Sequence, residues 1–105
     1  MKEIQNASEL EQLKKGNKPV LVDFYADWCG PCQTLLPIVS ELADKYEGEV
    51  EVVKVNIDRQ RELARDFGVR NIPALFFIEN GEIKERMVGL QPKSVLDSKL
   101  STYAA

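Results

Sequence analysis

Histidine is absent from this chain and cysteine nearly so: the only two cysteines, Cys29 and Cys32, have just Gly30 and Pro31 between them. Tetrahedral zinc takes four ligands, so cysteine and histidine cannot complete a zinc site within one chain. No metal is expected. No stretch approaches the roughly 18 consecutive apolar residues of a membrane-spanning helix. The opening MKEIQNASELEQLKKGNKP also lacks the uninterrupted apolar segment of a secretory signal. The expectation is a cytoplasmic protein with no membrane association. Basic residues form no dense block, and 14 Lys and Arg against 17 Asp and Glu leave a formal charge of −3. Nothing in that pattern would track a phosphate backbone, so nucleic-acid binding is not expected. Low-complexity tracts and internal repeats are missing too. With 44% hydrophobic and 30% charged residues the chain reads as globular rather than disordered. A length of 105 residues makes one ordinary domain with a single core, so 1–105 is expected to be one domain.

What is present is a close pair of thiols. Reducing compartments keep ordinary thiols reduced, so two neighbouring cysteines in a cytosolic chain point to reversible redox chemistry rather than a structural staple. A coarse reading of the elements places them. Ser8 and Glu11 have the Ser-x-x-Glu form of a capping box, which predicts a short helix from near Ser8 to before Gly16. PVLVDFYA, residues 19–26, is an apolar run suited to a strand covered on both faces. Cys32, Leu35, Leu36, Val39, Leu42, Ala43 and Tyr46 then recur at steps of three and four, one apolar face of a helix. Pro37 within it is read as a tolerated kink. VEVVKVNI, residues 50–57, is the next strand, so strand, helix and strand make a parallel βαβ unit. DRQRELARDFG follows as a short helix, with Gly68 as its stop.

The second half changes style. ALFFIE and EIKERMV flank Asn80-Gly81, the strongest short signal for a β-hairpin. Lys84, Glu85 and Arg86 charge the second strand as an edge strand requires. A last helix starts at Pro92 and carries Leu96, Leu100 and Tyr103 on one stripe. The fold class is α/β, with a central mixed sheet flanked by helices on both faces.

The cysteines therefore fall where the first βαβ strand ends and its helix begins, the end of an open α/β sheet that usually holds the chemistry. Residues three apart in a first helical turn are neighbours at roughly 5–6 Å, within reach of a disulfide. Helix N-terminal amides favour negative charge, which predicts a stabilised thiolate on Cys29 and makes it the nucleophile. Pro31 stiffens the loop at little cost, because its missing N–H lies in the opening turn. Cys32, on the apolar face with Leu35 and Leu36, is expected to be buried.

VDFYADWCGPC resembles the active-site segment of the thioredoxin family, and NIPALFFIENGE resembles the segment that faces it there. The likeness runs from the first strand to the closing helix. It implies the thioredoxin fold and a dithiol–disulfide oxidoreductase, mainly a protein-disulfide reductase. Such a protein needs no bound cofactor, since its own sulfurs carry the two electrons. Its implied partners are disulfide-containing protein substrates and an external, flavin-containing thioredoxin reductase, and it is expected to be monomeric.

The resemblance also gives residues their roles. Asp23, inside an apolar strand, reads from the sequence alone either as an outward-facing polar residue or as a buried carboxylate. In the family an Asp and a Lys at the places of Asp23 and Lys54 form a buried pair behind the second cysteine, and the Asp takes that cysteine's proton. Burial would raise the Asp23 pKa and a nearby Lys54 charge would oppose the rise. Trp28, beside a surface nucleophile, reads as part of a docking surface rather than core. Pro73 is implied to be cis, with Ile72 presenting main-chain groups to an extended substrate segment. Gly30, Pro31, Ile57, Val88 and Gly89 match the rest of that contact surface. Gln33 stands where a lysine or arginine is frequent, and Ala74 where a threonine is common. A different class of function is a docking subunit of the same fold in which redox chemistry is incidental; intact cysteines, Trp28 and Asp23 favour the enzyme.

Overall fold

The computed structural model describes residues 1–105 as five strands and four helices. In chain order they are β1 (Lys2–Glu3), α1 (Ala7–Lys15), β2 (Val20–Tyr25), α2 (Gly30–Lys45), β3 (Glu51–Asn56), α3 (Arg61–Asp66), β4 (Ala74–Glu79), β5 (Glu82–Val88) and α4 (Lys93–Ala104). The strands form one mixed sheet in the order β1-β3-β2-β4-β5. β2 and β3 run parallel on either side of the α2 crossover, as expected, while β4 is antiparallel to β2 and β5 to β4.

All six residues of β2 are buried, because this strand is central and has helices over both faces. Its side chains alternate. Val20, Val22 and Phe24 join a core with Leu10 of α1 and with Leu63 and the following Phe67 at α3. Leu21 joins a second core with Leu35, Val39 and Leu42 of α2 and with Leu96 and Leu100 of α4. α1 and α3 therefore cover one face, and α2 and α4 the other. The apolar stripe read along α2 is the face that packs: Cys32, Leu35, Val39 and Leu42 are buried, while Pro37 stays exposed inside the helix.

Several boundaries differ from the sequence reading. α1 is capped by Asn6, not Ser8: the Asn6 side chain accepts the Glu9 N–H at 3.0 Å, and the Glu9 carboxylate accepts the Gln5 N–H at 2.6 Å. Asparagine accepts as well as serine at this position, and the extended backbone of Asn6 puts Ser8 inside the first turn. β1 had no sequence signal, being two polar residues long; its register against β3 pairs Glu3 with Lys54. α3 begins three residues later than Asp58, because Asn56 folds its side chain over the chain and accepts the N–H groups of Asp58 and Arg59. Gly68 ends α3 at φ +67°, as predicted. In the hairpin, Asn80 and Gly81 both have positive φ, the pairing of a primed two-residue turn. The β4–β5 register slips between Phe77 and Ile78, leaving a bulge in the charged edge strand.

Candidate active site

Beyond β2, Ala26, Asp27 and Trp28 carry the chain to α2, whose N-cap is Cys29. The extended backbone of Cys29 (φ −91°, ψ 110°) lets its sulfur fold over the first turn, where it accepts the Cys32 N–H at 3.2 Å. Sulfur here takes the place that a serine or asparagine oxygen takes at other helix starts. Cys29 and Cys32 form a disulfide with Cα atoms 5.2 Å apart. In the reduced state the same N–H and the helix dipole favour negative charge on Cys29. Gln33, which brings no positive charge to the site, donates its side-chain amide to the Ala26 carbonyl at 3.2 Å and so ties the helix to the loop before it.

Cys32 is fully enclosed and Cys29 keeps 6% of its surface. The order is as expected, but the difference is narrow. Cys29 is more covered than its place at a helix start implies, because Tyr25, Leu36, Ile57 and Ile72 pack around the pair. The Ile72 carbonyl oxygen lies 3.9 Å from the Cys29 sulfur. Ile72 precedes Pro73 across a cis peptide bond, and neither main-chain group of Ile72 is bonded to other backbone. Pro73 is buried and accepts the Gly89 N–H at 2.8 Å, joining the end of β5 to this loop. Gly89 has φ +91°, a conformation in which a side chain is strained. Ala74 is buried at the start of β4, opposite Val88.

The same end of the sheet leaves large apolar residues in solvent. Trp28 is 69% exposed and Val88 50%, and Ile57 is half-buried. Trp28 is not core; its indole N–H is held by the Asp58 carboxylate at 2.9 Å. Gly30 and Pro31 are exposed beside it. Leu90, not singled out in the sequence, is 51% exposed and extends this apolar surface past Gly89. Its only signal was an apolar residue between a strand-ending glycine and a helix-starting proline.

Asp23 and Lys54 face each other in the β2–β3 register, but they make no ion pair. Asp23 is 1% exposed and neither of its carboxylate oxygens has a hydrogen-bond partner. Burial pushes its pKa up to about 7, and the opposing charge of Lys54 does not cancel the rise. The Lys54 ammonium instead lies 3.9 Å from Glu3 and over the Tyr25 ring, 5.4 Å from its centre. Glu3 is the hub that sequence reasoning missed: it also accepts from the Tyr25 hydroxyl at 2.7 Å and the Arg59 guanidinium at 2.9 Å. Burial raises the Glu3 pKa, but the Tyr25 and Arg59 hydrogen bonds outweigh it and hold the carboxyl below its usual range. The lysine's flexible stem reaches partly exposed carboxylate more easily than it desolvates beside Asp23.

The family model described as Thioredoxin matches residues 1–102. A thioredoxin from the red alga Pyropia yezoensis is 42% identical over 101 residues, covering 96% of this chain and 94% of that protein. One from Synechocystis is 42% identical with the same coverage. A chloroplastic M-type thioredoxin from Pisum sativum is 41% identical over 96% of this chain, which spans 59% of that protein. Among solved structures, a mutant thioredoxin from Halobacterium salinarum superposes with a TM-score of 0.90 at 39% identity, over 99% of this chain and 90% of that one.

Proposed function

The chain belongs to the thioredoxin family, and from that premise we propose that its thiol–disulfide exchange runs mainly as protein-disulfide reduction. Dithiol–disulfide exchange itself follows from the family and from the Cys29–Cys32 disulfide. In the proposed cycle the Cys29 thiolate attacks one sulfur of a substrate disulfide, forming a mixed disulfide and expelling the other sulfur as a thiolate. Asp23 takes the proton of Cys32, whose thiolate attacks the Cys29 sulfur. The second substrate sulfur leaves, the Cys29–Cys32 disulfide forms, and the substrate has gained two electrons.

The observation that carries this assignment is the Cys32 N–H donated to the Cys29 sulfur at a helix start. It stabilises charge on the sulfur that retains access to solvent and leaves the enclosed one to resolve. Trp28, Gly30, Pro31, Ile57, Val88 and Gly89 form the surface on which the substrate lies. Ile72, with free main-chain groups before Pro73, pairs with an extended substrate segment as an added strand would. Lys54 acts on Asp23 only by its charge. The domain, 1–105, works as a monomer with no bound cofactor, and a flavin-containing thioredoxin reductase returns it to the dithiol. A reducing compartment such as the cytoplasm suits this direction; the pea relative is chloroplastic by name.

Two experiments test the reading. The reduced protein should reduce insulin disulfides with dithiothreitol as electron source. Its equilibrium with glutathione should be as reducing as about −270 mV, and a value near −180 mV would reverse the proposed direction. Cys32→Ser should capture substrates as a stable mixed disulfide released by reductant, whereas Cys29→Ser should capture none. The opposite pattern exchanges the two roles.

A further inference from the structure

Of the 14 cationic side chains, nine lie in ion pairs. Four of the remaining five are Arg61, Arg65, Arg70 and Arg86, and all four border two adjoining surface hollows of about 420 and 440 Å³. Arg61, Arg65 and Arg70 line one, Arg70 and Arg86 the other, and no acidic side chain lines either. In a chain of net charge −3 this is a local reversal of sign. The hollows are continuous with the reactive face, since Ile57 borders the first and Val88 the second. Arg86 is pre-positioned: its guanidinium donates to the Phe67 carbonyl at 2.8 Å and stacks over the Phe76 ring at 4.8 Å. Gly68 lies between the hollows, and a Cβ there would come within 3.6 Å of that guanidinium.

We propose that this arginine-lined surface docks an acidic stretch of polypeptide flanking the target disulfide in protein substrates. Exposed guanidinium forks match carboxylates and do not fix a sequence, which suits a reductase that meets many partners. A peptide lying extended past Ile72 advances about 3.3 Å per residue, so residues a few places from the disulfide can reach the hollows beside Ile57 or Val88. The inference rests on the exchange reaction above and adds to it a preference among substrates. Exposed charge pairs of this kind steer encounter and weaken with salt.

The test uses two short disulfide peptides, one flanked by Asp and Glu and one by Asn and Gln at the same places. At low salt the acidic peptide should be reduced with kcat/KM about tenfold higher, the sum of two or three exposed pairs, and the advantage should fade near 0.5 M salt. The triple variant Arg61→Gln, Arg65→Gln, Arg70→Gln should erase that advantage. Equal rates for the two peptides, or an advantage that survives in the triple variant, overturns the proposal. Binding of the acidic peptide with its cysteines replaced by serine, followed by amide NMR shifts, separates docking from chemistry. Shifts at residues 61–70 without reduction of either disulfide peptide would retain the docking surface and overturn the exchange direction; no shifts there would overturn the docking surface.

Discussion

From one strand, Val20, Val22 and Phe24 point toward α1 and α3, while Leu21, Asp23 and Tyr25 point the other way, toward the side that holds α2 and the cysteines. The first face is entirely apolar at its centre, where Phe24, Phe67 and Phe76 meet with ring centres 5.1–5.4 Å apart and tilted or edge-on planes. Such contacts add stability beyond the area they bury. The second face also has a dense apolar core, yet at its active end it encloses a carboxylate with no partner. A group of that kind costs stability, and a fold selected for stability alone would replace it. The difference is a division of labour in stability: one face holds the sheet together, and the other gives up part of that stability to keep a buried carboxylate, the group proposed above to take the Cys32 proton.

The largest expected effects act on the two faces with opposite sign. Phe76→Ala should destabilise by about 3–5 kcal/mol in urea unfolding while leaving the exchange rate of folded molecules with a small uncharged disulfide unchanged. Asp23→Ala should stabilise. A carboxyl whose folded pKa is about 7 against an ordinary 3.8 stays protonated in the native state where the unfolded chain has ionised. Stability therefore falls as pH rises from about 4 through 7, and the full cost, on the order of 4 kcal/mol, is present above that range. The gain in Asp23→Ala should be greatest at pH 8 and vanish toward pH 4. A gain independent of pH would mean that Asp23 ionises in the native protein over the same pH range as in the unfolded chain, with no raised pKa.

A smaller effect belongs to the chemistry. Release of substrate from the mixed disulfide should accelerate as pH rises through about 7, as Asp23 becomes able to take the Cys32 proton. Asp23→Asn should slow that step about tenfold near neutral pH and remove the inflection. This is less than the usual range for an acid–base residue, since a free thiol ionises on its own near pH 8.5. Stopped-flow measurement of release in single turnover reads both.

Most of this division was legible in the sequence. The period of two along a strand sets Asp23 on the face of Leu21, and the three-and-four spacing after Cys32 identifies the side of α2 that packs. Whether the Asp23 carboxylate would be buried stayed open until the helix was placed over it. Local signals also fixed the Asn80-Gly81 turn and the Gly68 stop, because those depend on neighbours in the chain. What could not be read depends on distant partners. Whether Lys54 would meet Asp23 depended on a two-residue strand with no periodicity, and on Glu3 arriving from 51 positions away in sequence to compete for it. The unpaired state of Arg61, Arg65 and Arg70 is likewise invisible until every carboxylate has been placed.

The smallest effects should sharpen the electrostatic part of the comparison. Lys54→Met removes the charge that opposes burial, so the release profile should move to higher pH. Glu3→Gln removes a negative charge and frees Lys54, so the profile should move to lower pH. Titration of the Asp23 carboxyl by carbon-13 NMR checks both signs, and movement in the same direction would break the proposed competition.

That competition makes the beginning of the chain an electrical component. β1 is only two residues long, held by its pairing with β3 and by the side-chain bonds of Glu3 and Lys2, and it delivers the carboxylate that engages Lys54. An affinity tag, a purification scar or a fused partner ahead of Met1 can leave the fold and both sulfurs intact while shifting how often β1 is docked. Two preparations of identical active-site sequence would then differ in their pH response, and the cause would lie at the terminus most often altered for convenience.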